Sequence, residues 1–281
     1  MSRRRRRRPF RRLLTFLVIV VLIAGFVYSQ QQLLQRQELT VTCQGLPEAF
    51  DGCRITLVAD LHGKEFGEDN SRLLHAVRAA RPDVIAVLGD MVDDPAQLEM
   101  IPAVSRGLAA IAPTYYVTGN HEWAVKIVPK LETVLEECGV TVLGNDYRVM
   151  ERDGTAFVLA GVHDPLGYAD QETPEELYRE IAGQRPGAYV VLLAHRNTRL
   201  EQYASCGYDL ILCGHGHGGL IRLPKVGGLV NADHSIPAEY EDGLYTLGDT
   251  QMVVSRGLGN DPYTFRLFNP PQVLTVVLRA A

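Results

Sequence analysis

Six clusters of polar and glycine residues occur along the chain in a fixed order, and five of them come directly after a short apolar run. They are Asp60-Leu61-His62, Gly89-Asp90-Met91-Val92-Asp93, Gly119-Asn120-His121-Glu122, Ala194-His195, Gly214-His215-Gly216-His217-Gly218-Gly219 and Ser255-Arg256-Gly257-Leu258-Gly259-Asn260. Apolar runs of four to eight residues are typical of strands that are buried on both faces. The pattern therefore predicts a sheet that carries carboxylate, imidazole and amide groups to one edge.

The apolar runs alternate with helix-length amphipathic segments in the first half of the chain. The expected strands cover residues 54–59, 84–88, 115–118, 156–161, 189–194 and 210–213. The expected helices cover residues 70–80, 96–111 and 122–137. This alternation predicts an α/β fold with right-handed crossovers. After Gly214, shorter runs between Gly and Pro turns predict a β-rich C-terminal part.

The N-terminal segment predicts a membrane anchor. Residues 1–12 are rich in arginine, and residues 13–29 carry no charge. This stretch is slightly short for a spanning helix, but it is long enough. Phe26 and Tyr28 make a poor cleavage site, which favours a retained anchor over a removed signal peptide. The arginines predict a cytoplasmic N-terminus and an extracytoplasmic body. The arginine pairs also resemble a twin-arginine export signal, and this alternative stays open.

The remaining chain divides into a short linker and one large domain. Residues 30–38 are polar and rich in glutamine, so we expect either a stalk or the end of the anchor helix, with the large domain at 39–281. Removing the eight arginines of residues 1–29 leaves 20 basic and 33 acidic residues, a net charge of −13. An acidic body argues against nucleic-acid binding, which needs a basic face.

Five cysteines give little evidence for a zinc site, because no two of them have CxxC spacing. Cys43 and Cys53 flank a short loop and could pair outside the cytoplasm, but free thiols remain the alternative. Cys213 ends an apolar run and is expected to be a buried core thiol.

The clusters contain the ligand types that divalent cations take from proteins. Asp60 and His62 are two residues apart after the first strand, although such a pair is also common in turns. Asp90 can offer one carboxylate oxygen to each of two cations, and the preceding Gly89 lets the backbone approach a crowded site. Asp93 is expected either to support a ligand or to cap the following helix.

The later clusters complete this donor set with neutral ligands. Asn120 offers an amide oxygen, and His195 follows an apolar run where a satisfied polar residue is the alternative. His215 and His217 lie among four glycines, which have little value in a core but suit a ligand pair. Glu122 is expected to begin a helix, where its charge complements the helix dipole.

Taken together and in this order, the clusters resemble the calcineurin-like metallophosphoesterase superfamily, from about Arg54 to the C-terminus. The glycine-rich histidine motif followed by Ser255 to Gly259 is similar to a bacterial, membrane-associated or exported branch, some of whose members are described as phosphodiesterases acting on envelope material. The resemblance implies a four-layer α/β/β/α sandwich of two mixed β-sheets flanked by helices, in addition to the N-terminal transmembrane helix.

The resemblance also implies the roles of individual residues. Two divalent cations (manganese, iron or zinc) would be held by Asp60, His62 and His217 at the first position, by Asn120, His195 and His215 at the second, and by Asp90 as the bridge. His121 would be the catalytic histidine beside the leaving-group oxygen. Arg256 is a candidate for substrate binding.

Two positions depart from the family pattern without removing a ligand. Gly216 stands where the family often has Thr, and Arg196-Asn197 follows His195 where a Pro often lies two residues on. Arg196 is expected to be solvated rather than to bind phosphate. The polar turns at His163-Asp164, at residues 165–173, and at Ser255 and Asn260 are candidates for shaping the substrate pocket.

These observations predict a metal-dependent phosphoric ester hydrolase, a phosphodiesterase by preference, on the outer face of the bacterial cytoplasmic membrane. The expected partners are the lipid bilayer and a phosphoester substrate, which could be lipid-linked, a wall polymer, a nucleotide or a monoester. A phosphomonoesterase or protein phosphatase is one alternative. A non-catalytic metal-binding scaffold is another, although every expected ligand is present.

Overall fold

A computed structural model describes residues 7–223, 226–229, 240–260 and 266–281. The helices are α1 (Arg7–Gln32), α2 (Ser71–Ala80), α3 (Ile101–Ala109), α4 (Asn120–Ala124), α5 (Val128–Glu137), α6 (Pro174–Gln184) and α7 (Leu200–Cys206). The strands are β1 (Gln35–Cys43), β2 (Arg54–Val58), β3 (Val84–Val87), β4 (Thr114–Tyr116), β5 (Thr141–Val142), β6 (Asp146–Arg152), β7 (Thr155–Gly161), β8 (Val190–Leu193), β9 (Leu210–Cys213), β10 (Arg222–Leu223), β11 (Gly227–Gly228), β12 (Gly243–Leu247), β13 (Thr250–Val254) and β14 (Gln272–Ala280).

Two mixed six-stranded sheets form the centre of the domain. The first has the order β1-β14-β2-β3-β4-β5, and the second has the order β12-β13-β9-β8-β7-β6. In the first sheet β2 to β5 are parallel, while β14 runs antiparallel to β2 and parallel to β1. In the second sheet β13, β9, β8 and β7 are parallel, and the outer strands β12 and β6 are antiparallel to their neighbours.

The strands are apolar throughout because both of their faces are covered. In β3, Val84 and Ala86 face the core between the two sheets, whereas Ile85 and Val87 face the helices. Strands of the second sheet alternate in the same way between the central core and the core under α6 and α7. Helices thus cover the outer face of each sheet, and the predicted four-layer α/β/β/α sandwich is confirmed.

Two predicted helices are interrupted, and prolines mark both interruptions. The segment 96–111 is a 3₁₀ helix (Pro95–Met100) followed by α3, which has Pro102 in its first turn. The segment 122–137 is divided into α4 and α5. Lys126 adopts a left-handed φ of 58° between them, and Pro129 lies in the first turn of α5. Proline is favoured in the first helical turn, so each proline begins a new helix.

The linker of residues 30–38 belongs partly to the helix and partly to the sheet. Helix α1 continues to Gln32, and β1 already begins at Gln35, whose register partner in β14 is Gln272. The part from Gln35 onward is therefore a strand rather than a stalk, and the ordered domain begins before Leu39. The residues from Phe10 to Gln32 form a helix that is long and apolar enough to cross a membrane, with none of its apolar window buried.

Cys43 and Cys53 are both buried free thiols in the described part of the chain, so the disulfide left open by the sequence is not formed. Burial raises the pKa of the Cys53 thiol to about 11. A protonated thiol in an apolar core is a poor nucleophile, and both residues pack as small hydrophobic groups.

Candidate metal centre

The carboxyl ends of strands from both sheets meet at one edge of the sandwich. Asp60 and His62 follow β2, and Asp90 follows β3. His195 follows β8, and His215 and His217 follow β9 in the second sheet. All of these side chains are at least 91% buried, and the structure brings them together as the sequence predicts.

Five of these residues adopt a left-handed backbone conformation that only glycine takes up freely. The φ angles are 53° at Asp60, 50° at His62, 50° at Asp90, 68° at His215 and 48° at His217. A residue with a Cβ atom pays of order 1–3 kcal/mol for such a conformation, and this strain is concentrated at functional sites. The turns therefore aim the side chains inward at a cost that the surrounding domain offsets.

Asp60, His62 and His217 form the first group of possible metal ligands. Their ligand atoms lie within 4.8 Å of one another. The Nε2 atoms of His62 and His217 face each other at 3.2 Å. Burial and the neighbouring His62 lower the pKa of His217 well below its usual value, which leaves a neutral imidazole with a lone pair for a metal ion.

Asp90, His195 and His215 form the second group, again with ligand atoms within 4.8 Å of one another. His195 Nε2 lies 3.1 Å from His215 Nδ1 and 3.1 Å from Asn120 Oδ1. Burial lowers the pKa of His195, but Asp90 and Asp60 raise it overall to about 10.

The carboxylate of Asp90 joins the two groups. Its Oδ2 atom is buried, and its nearest partner among the described residues, His195 Nε2 at 3.1 Å, lies outside good hydrogen-bond geometry. Oδ2 lies 3.1 Å from His195 Nε2 and 3.9 Å from the Nε2 atoms of both His62 and His121. A buried carboxylate oxygen without a donor is costly unless a cation satisfies it, so the donor set fits two metal ions with Asp90 between them.

Asp93 hydrogen-bonds two of the histidines at once. Its Oδ1 atom lies 2.6 Å from His62 Nδ1 and 2.7 Å from His121 Nδ1. Burial raises the pKa of Asp93, but its bonds with the two imidazoles lower it overall. The alternative that Asp93 caps a helix is wrong, because Asp94 is the N-cap of the 3₁₀ helix that follows. Asp93 instead orients the two rings and leaves their Nε2 atoms toward Asp90.

Glu122 is fully buried. The sequence predicted that its charge complements the dipole of a helix, but the side chain also binds backbone N–H groups of two loops. Its carboxylate accepts hydrogen bonds from the backbone N–H groups of Asp90 (3.1 Å), Met91 (2.6 Å) and Gly119 (2.9 Å). Burial and the nearby Asp90 raise the pKa of Glu122 to about 7. The side chain thus ties the loop after β3 to the beginning of α4.

Arg196 is 24% exposed and is held in an ion pair instead of extending freely into solvent, which corrects the prediction from sequence. Its Nε and Nη2 atoms donate to the two oxygens of the buried Asp164 at 2.7 and 3.2 Å. Its Nη1 atom lies 3.3 Å from His215 Nε2. The guanidinium is therefore fixed beside the second metal group, in the planar two-point geometry that recognises carboxylates and phosphates.

Arg256 lies on the other side of the site, with a side chain that is 10% exposed. Its Nη2 atom donates to Gln35 Oε1 at 2.7 Å, and its Nη1 atom lies 3.5 Å from Asp242 Oδ2. These contacts connect Arg256 to the start of β1. A role in binding substrate stays a prediction.

Sequence reasoning missed Arg266, which is completely buried at this edge. It donates to the carbonyl oxygens of Gly259 and Arg256 at 2.7 Å, and its Nη1 atom lies 3.4 Å from the carbonyl oxygen of His217. Burial lowers the pKa of Arg266 to about 9. No motif or spacing indicated this residue, because its role depends on the packing of distant loops.

The loop of residues 165–173 borders a separate cavity of about 240 Å³. His163 lines this cavity and accepts from or donates to Thr118 Oγ1 at 3.1 Å, while its ring packs edge-on against Trp123. The described lining contains none of the predicted metal ligands, so this cavity is distinct from the metal centre.

Comparison with known proteins identifies the class of protein to which this fold and site belong. A family model described as calcineurin-like phosphoesterase matches residues 53–219. This range contains every predicted metal ligand and His121. The chain belongs to the calcineurin-like phosphoesterase family, and it is a metal-dependent phosphoester hydrolase.

The chain is similar to metallophosphoesterases from bacteria and to animal proteins that are named as transmembrane proteins. It is 26% identical over 261 residues to the uncharacterized metallophosphoesterase YkuE of Bacillus subtilis (strain 168), covering 90% of this chain and 88% of that protein. It is 30% identical over 235 residues to phosphodiesterase YaeI of Escherichia coli (strain K12), covering 80% and 82%. It is 26% identical to a transmembrane protein with metallophosphoesterase domain of Danio rerio, covering 87% of this chain and 57% of that protein.

Proposed function

We propose that the chain is a phosphodiesterase with two divalent cations at the described edge. Asp60, His62 and His217 would hold the first cation, Asn120, His195 and His215 would hold the second, and both would share the carboxylate of Asp90. The observation that carries the proposal is the buried Asp90 Oδ2 atom, which lies between the two ligand groups, 3.1 to 3.9 Å from three imidazole nitrogens and without a well-aligned hydrogen bond. The relative named as a phosphodiesterase supports the choice of a diester.

The bound cations supply positive charge for the phosphate and lower the pKa of a coordinated water toward neutrality. The protein's own residues then orient the ester. His121 is the partly exposed imidazole of the site, 26% exposed, and Asp93 fixes its ring through Nδ1. We assign His121 the donation of a proton from Nε2 to the leaving oxygen. Arg196 is positioned to contact a phosphate oxygen beside His215.

The same proposal includes a membrane anchor. Helix α1 has the length and composition of a membrane span, and relatives from animals are named as transmembrane proteins. The arginines of residues 1–12 favour a cytoplasmic N-terminus, which would place the metal centre outside the cytoplasm. We further propose membrane or wall material as the substrate, because the anchor restricts the enzyme to that environment.

Hydrolysis of paired chromogenic esters tests the proposed activity. The full chain in detergent micelles would be treated with chelator, then supplied with manganese, and assayed with bis(p-nitrophenyl) phosphate and with p-nitrophenyl phosphate. We expect metal-dependent turnover that favours the diester. A preference for the monoester would support the phosphomonoesterase alternative, and bound metal without turnover of either ester would support the scaffold.

Replacing Asp90 tests the assignment of the bridge. Asp90→Asn removes the charge that both cations share, so we expect loss of bound metal and at least a 1,000-fold lower rate, on the order of 4 kcal/mol in the barrier. Asp94→Asn is the matched control, because Asn caps a helix about as well as Asp. Wild-type metal content and rate in Asp90→Asn would contradict the assignment.

A further inference from the structure

The anchor helix enters the domain at the edge that carries the metal ligands. Strand β14 runs antiparallel to β2, and β1 runs parallel to β14. The beginning of β1 therefore lies at the same edge as the end of β2. Gln35 begins β1 directly after the helix, and Asp60 follows β2. The anchor and the metal centre thus share one face of the sandwich.

Side-chain contacts fix the end of the helix to this face. Gln31 Nε2 donates to the carbonyl oxygen of Arg266 at 2.6 Å, and Gln31 Oε1 accepts from Asn260 Nδ2 at 2.8 Å. The guanidinium of Arg266 in turn lies 3.4 Å from the ring nitrogen Nδ1 of His217. A single residue, Arg266, therefore lies between Gln31 of the helix and the predicted metal ligand His217.

An aromatic residue extends this contact along the helix. The ring of Phe268 lies 5.5 Å from the ring of Phe26, which is within the predicted membrane span of residues 13–29. Phe268 is 50% exposed and has a left-handed φ of 54°, an unfavourable conformation for a bulky side chain. The loop therefore holds an exposed phenyl ring beside the apolar part of helix α1 that is predicted to span the membrane.

Other exposed apolar side chains lie on the segments that adjoin Phe268. The parallel bridge between Ile221 and Leu267 sets the segment that continues to Leu223 beside the segment that continues to Phe268. Leu33 (58% exposed), Leu223 (41%), Val226 (68%) and Phe268 form what we name the apolar rim. Contiguous exposed apolar groups mark an interaction surface, and a membrane helix in contact with the rim identifies the bilayer as the surface that covers it.

Basic side chains lie at the same end of the domain. Arg72 Nη2 donates to the carbonyl oxygen of Gln32 at 2.8 Å. Arg36, Arg72 and His75 line a cavity of about 380 Å³ beside this contact. Positive charge next to an apolar surface is the combination that attracts anionic lipid headgroups.

We infer that the apolar rim rests in the bilayer and that the metal centre faces the lipid headgroups. The substrate is then a phosphoester in the headgroup of a membrane lipid, and this inference rests on the proposed phosphodiesterase function. Hydrolysis would break one P–O ester bond. The hydroxyl of a water molecule goes to phosphorus, and the leaving alkoxide takes up a proton.

Fluorescence quenching tests the position of the rim. Phe268→Trp and Leu247→Trp would be reconstituted as full chains in vesicles of phosphatidylethanolamine and phosphatidylglycerol with brominated acyl chains, and the emission of wild-type Trp123 would be subtracted. Leu247 is 41% exposed at the turn between β12 and β13, on the opposite edge. We expect at least twofold stronger quenching at position 268. Equal quenching at both positions would overturn the inference.

Hydrolysis in the same vesicles without bromine tests the substrate class. We expect Phe268→Asp to lose at least tenfold in release of the phospholipid headgroup, while its rate on soluble bis(p-nitrophenyl) phosphate stays within twofold of wild type. Leu247→Asp should match wild type on both. A wild-type enzyme that cleaves only the soluble diester, or an unchanged Phe268→Asp, would overturn the inference alone. Failure on both substrates would overturn the proposed function as well.

Discussion

Asp93 shows how one carboxylate serves two functions in this site. It bonds Nδ1 of a predicted metal ligand, His62, and Nδ1 of the predicted catalytic residue, His121. Each ring is thereby held in one orientation, with Nε2 directed toward Asp90. A loss of Asp93 would disturb the first metal and the proton donor together.

We expect Asp93→Asn to lower kcat about 10–100-fold, the usual cost of losing such a supporting group. The amide keeps the volume of the carboxylate but cannot accept from both imidazoles through one charged oxygen. Steady-state kinetics on the soluble diester, with metal content measured in parallel, check this prediction. Asp94→Asn should behave as wild type, and an unchanged kcat in Asp93→Asn would contradict the role.

Glu132 gives a pH dependence of stability outside the metal site. Burial and the neighbouring Glu136 raise the pKa of Glu132 to about 7, so the folded protein favours its protonated form. The stability from this group is complete below the unfolded pKa of about 4.5 and is lost as the pH rises toward 7. His163, whose Nε2 atom lies 3.7 Å from Glu132, has a pKa lowered to about 4 by burial. The stability that His163 contributes is therefore lost in the opposite direction, as the pH falls from 6.5 toward 4.

Glu132→Gln removes the first of these titrations. We expect the variant to gain about 1–2 kcal/mol over wild type between pH 5 and pH 8, after allowing for the partial exposure of the side chain. Denaturant unfolding at the two pH values measures the difference. Glu137→Gln on the exposed side of α5 is the control. A gain that does not depend on pH would exclude the titration as its cause.

At the scale of elements, β1 is the strand that connects the anchor with the domain. Its first four residues pair with β14 and make side-chain bonds to the rest of the sheet. Gln35 accepts from Arg256, Gln37 accepts from Gln272, and Glu38 pairs with Arg54. None of these four residues is buried, so their contribution is in hydrogen bonds rather than in the core.

A chain that begins at Leu39 should be less stable than one that begins at Leu34. We expect a loss of about 2 kcal/mol from several hydrogen bonds at about 0.5–1.5 kcal/mol each, which lowers Tm by about 4–8 °C. Calorimetry of the two truncated chains compares them directly, since both lack the anchor. Equal Tm values would show that the start of β1 adds no stability.

The sequence predicted the strands that carry the site because their requirements are local. A strand buried on both faces must be apolar throughout, and a metal ligand must follow it, so β2, β3, β8 and β9 were recognisable. Helix α6 and strand β6 were not predicted. Strand β6 mixes polar with apolar residues, so it lacks the apolar run by which the other strands were recognised. Arg266 and the Arg196–Asp164 pair were also not predictable, since their partners come together only in the folded chain.

At the scale of the whole molecule, charge is unevenly distributed: the N-terminal segment is basic, an apolar helix follows it, and the remaining chain is acidic. Eight arginines precede the anchor, and the remaining chain has a net charge of −13. Moving arginines across a membrane is unfavourable, whereas acidic residues restrict orientation little. This asymmetry is the basis of the proposed topology.

We expect protease added outside spheroplasts to degrade the domain and to spare a tag placed before Arg3. Immunoblotting with antibodies against the tag and against a C-terminal epitope would show which part survives. Lysed spheroplasts serve as the control in which both are accessible. Survival of the C-terminal epitope in intact spheroplasts, with loss of the tag, would reverse the orientation.

The central place of β14 determines when this protein can finish folding. Gln35, beside the anchor, pairs with Gln272 in the last strand, and β14 lies between β1 and β2. At about 5–20 residues per second, a ribosome needs on the order of tens of seconds between making the two strands. During that interval helix α1 has already been synthesised, while the first sheet still lacks β14, the strand between β1 and β2. The synthesis of β14 therefore sets the moment at which β1, the strand that follows helix α1, is fixed in the sheet.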